Sequence, residues 1–183
     1  MLGLELIVAC APTVAPETIL HIIEVESDGN PLAINVNNGP RVTAKNKADA
    51  IAISKRYIAA GYSVDMGLMQ INSTNLSRLG YSVGDMFDAC TNIAAGAEVL
   101  RRFYANASRD YGHGQGALLA ALSAYNTGSM TRGFRNGYVQ KYIGPLANPP
   151  AARHAPKRTP APPAADPYTA GTVVYQRKEP TEL

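Results

Sequence analysis

Glu26 ends an apolar amphipathic stretch, Ile19-Leu20-His21-Ile22-Ile23-Glu24-Val25, and is followed by Ser27-Asp28-Gly29-Asn30-Pro31, a run that breaks regular structure. A carboxyl group at that junction sits between a dry wall and an open loop. Burial there penalises the charged form and raises the pKa. That is how a protein keeps a general acid protonated near neutral pH. One raised carboxyl is the minimum equipment for protonating a glycosidic oxygen. Taken alone, Glu26-Ser27 reads first as a solvated helix-end glutamate beside a polar turn.

Two further segments carry groups suited to a sugar. In Gly67-Leu68-Met69-Gln70-Ile71-Asn72, glycine permits close backbone approach by a ligand. Met69 offers a soft apolar wall, with Ile71 beside it. Gln70 presents an amide donor and acceptor for hydroxyl and acetamido groups. In Ser123-Ala124-Tyr125-Asn126-Thr127-Gly128, a very apolar segment ends in an aromatic ring, an amide and a glycine. Each segment alone has a plain alternative: a strand or turn fragment for the first, and a core tyrosine with a capping asparagine for the second.

Mainly helical elements must hold these groups. Pro16 and Glu17 suit a helix start, and the first helix runs to about Ser27. Residues 30–43, rich in Asn, Gly and Pro, read as loop or short hairpin. Asn46 caps a helix over 47–60, with Gly61 as its stop. Residues 62–72 lack a helical period. A short helix spans about 73–79 and ends at Gly80. A longer one covers about 91–108, with Asp88 or Thr91 near its start and Ile93, Ala97, Leu100 and Tyr104 facing the core. Gly112 and Gly114 break the chain. A helix over 117–125 is apolar nearly all round and is expected to be buried. A last helix over 137–143 stops at Gly144-Pro145. From Asn148 on, Pro, Ala and charge dominate, so residues 1–146 read as the folded domain and 147–183 as a flexible tail.

Composition bounds the rest. The chain has 183 residues, 46% hydrophobic and 17% charged, with a formal net charge of +3. That suffices for a domain with a real core. No dense basic run with interleaved aromatics is present, which argues against nucleic acid. No apolar run approaches the ~20 residues of a membrane-spanning helix. The N-terminal Met1–Cys10 segment lacks a basic start and contains Glu5, so it reads as a short apolar arm packing on the fold rather than an export signal. Two cysteines, Cys10 and Cys90, cannot make a four-ligand zinc site. They are either unrelated buried thiols or one long-range disulfide.

Glu26-Ser27, then Gly-Leu-Met-Gln-Ile-Asn, then Ala-Tyr-Asn-x-Gly in that order resemble the lytic transglycosylases of glycoside hydrolase family 23. The likeness covers residues 12–146. Asp65, Asn72 followed by Asn75-Leu76, Phe87-Asp88-Ala89-Cys90-Thr91-Asn92 and the segment 10–16 look like the transglycosylase component of type IV secretion and conjugation systems. Gly137-Tyr138-Val139-Gln140-Lys141 is similar to the family's last motif, whose tyrosine comes near the catalytic acid. The resemblance implies an α+β, mainly α, single domain with a lysozyme-like fold of the goose-type and soluble lytic transglycosylase kind. It also implies that Cys10 and Cys90 form the group's disulfide.

The resemblance further implies a reaction. Glu26 protonates the bond between N-acetylmuramic acid and N-acetylglucosamine in peptidoglycan strands. The acetamido oxygen assists. The ionised Glu26 then takes the proton of the C6 hydroxyl, which closes a 1,6-anhydro ring without consuming water. Met69, Ile71, Tyr125 and Tyr138 supply the apolar shell, and Ser27, Gln70 and Asn126 the polar contacts. No metal or organic cofactor is required. Type IV secretion or conjugation proteins are the implied partners and the bacterial periplasm the implied location.

Among other carboxylates, Glu24 reads as a surface residue and Asp28 as a turn residue. Asp65 is the possible second carboxylate: across a cleft from Glu26 it would activate water and make the protein a hydrolytic muramidase. The plainer reading is a turn-forming aspartate. A third reading is a glycan-binding or assembly subunit without catalysis.

Overall fold

The computed structural model describes residues 3–143. The expected stop at Gly144-Pro145 and the Pro-rich segment 147–183 lie outside them. The described residues fall into two compact units. The first comprises residues up to Pro12 together with Ile19–Glu98, and the second Thr13–Thr18 together with residues from Val99 on.

The first unit opens with α1 (Leu4–Cys10). The N-terminal arm is therefore helical. Ile7 and Cys10 are buried, whereas Leu4 and Val8 are about half exposed, at 53% and 48%. Helix α2 (Pro16–Ser27) begins at the expected proline and acid. Its Ile19, Ile22 and Ile23 are buried at helical spacing. It ends where Asp28 (φ 52°) and Gly29 (φ 73°) turn left-handed, a conformation that stops a helix.

A three-stranded antiparallel sheet follows in the order β1 (Ile34–Val36), β2 (Val64–Met66), β3 (Ile71–Asn72). The Asn/Gly/Pro-rich stretch thus holds no local hairpin. Its strand pairs instead with residues 64–66, beyond α3 (Lys47–Ala59). The register opposes Ile34 to Met66, Asn35 to Asp65 and Val36 to Val64, then Asp65 to Asn72 and Met66 to Ile71. Strand alternation puts directly opposed residues on one face. Val36, Val64, Met66 and Ile71 are buried, and Asn35, Asp65 and Asn72 line up on the other side.

Asn46 caps α3 as expected, accepting from the Asp49 N–H at 2.9 Å. Past β3, one 3₁₀ turn (Ser73–Asn75) leads into α4 (Leu76–Leu79), closed by Gly80 at φ 77°.

Helix α5 (Ala89–Tyr111) is longer than expected at both ends and contributes residues to both units. Asp88, not Thr91, caps it: its Oδ1 accepts from the Thr91 N–H at 3.0 Å and the Thr91 hydroxyl at 2.8 Å. Ile93, Ala97, Leu100 and Tyr104 are all buried, as their spacing required. The Cys10–Cys90 disulfide is formed, with Cα atoms 5.2 Å apart, and joins the end of α1 to the first turn of α5.

In the second unit, α6 (Gln115–Thr127) buries Ala117, Leu118 and every residue from Ala120 to Ala124, so it is buried nearly all round. Two short helices follow, α7 (Arg132–Arg135) and α8 (Gln140–Ile143). The helix expected over 137–143 is cut to its second half because Gly137 adopts φ 82°. Helix α7 was not anticipated: four residues offer too little periodicity to read. It packs on α6 where Gly133 lies against Ser123. A Cβ on Gly133 would fall 2.7 Å from the Ser123 Cα, and Ser123 Oγ accepts from the Gly133 N–H at 2.8 Å.

Candidate active site

Glu26 is the penultimate residue of α2 and is half-buried. The apolar face that positions it is the buried Ile19, Ile22 and Ile23. Its neighbour Ser27 makes the decisive link. Ser27 Oγ donates to the Leu68 carbonyl at 2.8 Å, across 41 residues, and lies 3.1 Å from the Ile23 carbonyl one turn back. One hydroxyl has one proton, so the shorter contact to Leu68 dominates. The first and second sequence motifs are thereby in direct contact within one unit.

The second motif is a tight turn between β2 and β3. Gly67 has φ +73° and Gln70 φ +47°. A Cβ on Gly67 would sit 2.2 Å from the Met86 carbonyl oxygen and 2.4 Å from Asn92 Nδ2, so only glycine fits. The Gln70 amide donates to the Gly67 carbonyl at 2.9 Å and the Ala33 carbonyl at 3.3 Å. Its two amide hydrogens therefore hold the turn. Met69 and Ile71 are buried, at 0% and 2% exposure. They form the floor beneath the turn, with Met69 lying against Gly96.

Asn92 is the residue that the sequence reading passed over as a contributor here. It is 1% exposed. Its Oδ1 accepts from the Met69 N–H at 2.7 Å, and its Nδ2 donates to the Met66 and Met86 carbonyls at 2.9 and 3.0 Å. A buried polar side chain inside an otherwise apolar helix face was the available signal.

Asp65 occupies the middle of the polar sheet face. Its Oδ2 accepts from the amides of Asn35 at 3.0 Å and Asn37 at 2.9 Å, and its Oδ1 from Asn72 at 2.6 Å. Asn72 also caps the following 3₁₀ turn, accepting from Thr74 N–H and Oγ1 at 3.0 and 2.7 Å. The turn-forming reading of Asp65 is corrected: it lies in β2 and organises three amides around one carboxylate.

The second unit gathers the remaining expected residues. Tyr125 is half-buried and Asn126 exposed in the last turn of α6. Asn126 Oδ1 accepts from Asn136 Nδ2 at 3.4 Å, and Asn136 Oδ1 from the Tyr138 N–H at 3.0 Å, so the third motif and the last are linked. Tyr138 is 5% exposed, and its hydroxyl lies 2.8 Å from that of Tyr142. Among the described residues, no group of three or more His, Cys, Asp or Glu is placed to hold a metal ion.

The profile of the transglycosylase SLT domain matches residues 5–144. The chain belongs to the transglycosylase SLT family. Among the relatives of this SLT chain, protein virB1 of Agrobacterium fabrum is 43% identical over 135 residues, covering 72% of this chain and 54% of the relative. The type IV secretion system protein virB1 of Brucella suis is 37% identical over 161 residues, covering 80% of this chain and 68% of the relative. That of Brucella abortus is 39% identical over 141 residues, or 73% and 59%. The SLT chain thus spans a little over half the length of the Agrobacterium relative. No solved structure matches it. The family agrees with the mainly helical, lysozyme-like fold read from the motifs.

Proposed function

We propose that this chain is a peptidoglycan lytic transglycosylase, that Glu26 is its acid and base, and that it opens the wall locally for a type IV secretion or conjugation apparatus. The observation that supports this reading is the 2.8 Å bond to the Leu68 carbonyl, in the Gly67–Gln70 turn, from Ser27, the residue that follows Glu26 in the last turn of α2. The SLT membership and the virB1 relatives, some of them named as type IV secretion system proteins, support the same reading.

In the reaction, Glu26 gives its proton to the oxygen linking N-acetylmuramic acid to N-acetylglucosamine. Positive charge grows at the anomeric carbon as that bond breaks, and the sugar's own acetamido oxygen meets it. Glu26, now a carboxylate, accepts the proton of the C6 hydroxyl. That oxygen bonds to the anomeric carbon and closes the 1,6-anhydro ring. The proton Glu26 gave is replaced by the one it takes, and no water enters. Gln70 Oε1 contributes a contact to the glycan, and Ser27 holds the turn that carries it. Substrate and apparatus both point to the periplasm, and a disulfide suits that oxidising compartment.

Glu26→Gln keeps shape and hydrogen bonding but removes the acid. Release of muropeptides from purified sacculi should fall by about 10²–10⁴-fold. The parent's products should be lighter by one water than reducing-end products. Parent-level digestion by the variant, or reducing ends from the parent, would sink the assignment.

A further inference from the structure

We infer that Asn92 is a positioning residue for Glu26, acting through the Gly67–Gln70 turn and Ser27. The inference rests on the reading of Glu26 as the acid.

The three bonds of the buried Asn92 amide have a particular arrangement. Met66 C=O and Met69 N–H flank Gly67 and Leu68 in the turn, and one side chain holds both. Its other donor bond, to the Met86 carbonyl, anchors the amide to the 3₁₀ turn Asp85–Phe87. Both amide hydrogens are used, so the side chain has a single orientation. The face of the amide lies against Gly67, where even a methyl group would collide with it. The peptide planes of Gly67 and Leu68 are therefore held between two fixed points.

Leu68 C=O lies within that clamped stretch, and it is the group that Ser27 Oγ reaches at 2.8 Å. The Ser27 proton has an alternative, the Ile23 carbonyl at 3.1 Å within its own helix. If the turn relaxes and Leu68 C=O swings away, the proton reverts to Ile23. The last turn of α2 then loses this side-chain tether to the Gly67–Gln70 turn, and terminal turns fray more readily when a tether is lost. Glu26 is next to Ser27 in that turn. A displacement of about 1 Å in a reacting group costs on the order of 10²-fold in rate. Asn92 thus sets where the carboxyl stands without touching substrate.

The test uses the full chain with Asn92→Ala, Asn92→Asp, Ser27→Ala and the Asn92→Ala/Ser27→Ala pair. kcat and KM are measured on soluble glycan strands alongside thermal unfolding. Asn92→Ala should lower kcat by about 10–100-fold in protein that is still folded at the assay temperature, with KM changed much less. The double variant should be no slower than the slower single one, because both changes cut the same path. In Asn92→Asp the ionised carboxylate faces the Met66 and Met86 carbonyls, and only its protonated form can donate. Its kcat relative to the parent should therefore recover as pH is lowered. If Asn92→Ala does not fold, the cycle is run with Asn92→Asp and read the same way. Additive losses in the cycle, or a kcat loss no larger than the unfolded fraction, would overturn the inference. Parent-level activity in Glu26→Gln would instead overturn the assignment of Glu26, so the two failures are distinguishable.

Discussion

Asp65 shows how one side chain changes meaning with its surroundings. Its carboxylate accepts three amide hydrogen bonds, which commits both oxygens to holding Asn35, Asn37 and Asn72. Replacing it by asparagine turns one oxygen into an N–H group that opposes other N–H groups. The cost should be about 1–3 kcal/mol of stability, toward the low end because the network is partly solvated. Denaturant unfolding measures it. A lytic transglycosylase with one acid–base residue keeps releasing anhydro ends when Asp65 becomes Asn, even if more slowly. Complete loss of turnover in folded protein would favour the muramidase alternative. The joint order of three motifs singled out Glu26, Gly67 and Gln70, since a helix-end acid or a turn glycine by itself has an ordinary structural use. The role of Asn92 is not legible in the sequence, since its three partners lie 6, 23 and 26 residues away.

At the level of elements, helix ends were the readable features. Asn46 and Gly80 stop or start helices where side-chain and backbone chemistry require it. Asp85 and Asp88 bracket the entry to α5. The Ser82 N–H and hydroxyl hold the Asp85 carboxyl below its usual range, and the Thr91 N–H and hydroxyl do the same for Asp88. A carboxylate whose folded pKa is depressed contributes stability above its unfolded value, here 3.8, and loses it as pH falls through the lower folded value. Thermal midpoints recorded from about pH 6 down to about pH 2 should therefore drop at the acid end. Asp88→Ala should flatten that drop and lower stability by about 0.5–1 kcal/mol, since a solvated cap sits at the low end of cap energies. The strands were the elements that local reading could not place. β1 and β2 are each three residues long, too short to show alternation, and their pairing spans a whole helix.

On the scale of the molecule, the disulfide closes a loop of 80 residues. By the chain-entropy account, such a link disfavours the unfolded chain by about 4 kcal/mol. Replacing both Cys10 and Cys90 by serine should lower unfolding stability by about that amount, measured in denaturant under oxidising conditions. A variant as stable as the parent would show that α1 stays docked without the disulfide. No helix among the described residues is long and apolar enough to cross a membrane.

The amino-acid sequence determined the start and stop of α2 and the cap of α3, the buried stripe of α5 and the all-round burial of α6, because each depends on residues within a turn or two of one another. Only the tertiary structure decided that Ser27 bonds to Leu68, that Asp65 gathers three amides, and that Asn92 bonds to the backbone on both sides of Gly67 and Leu68. Those contacts join residues far apart in the chain, and a buried polar group shows its partners only once packing has removed the water that would otherwise satisfy it.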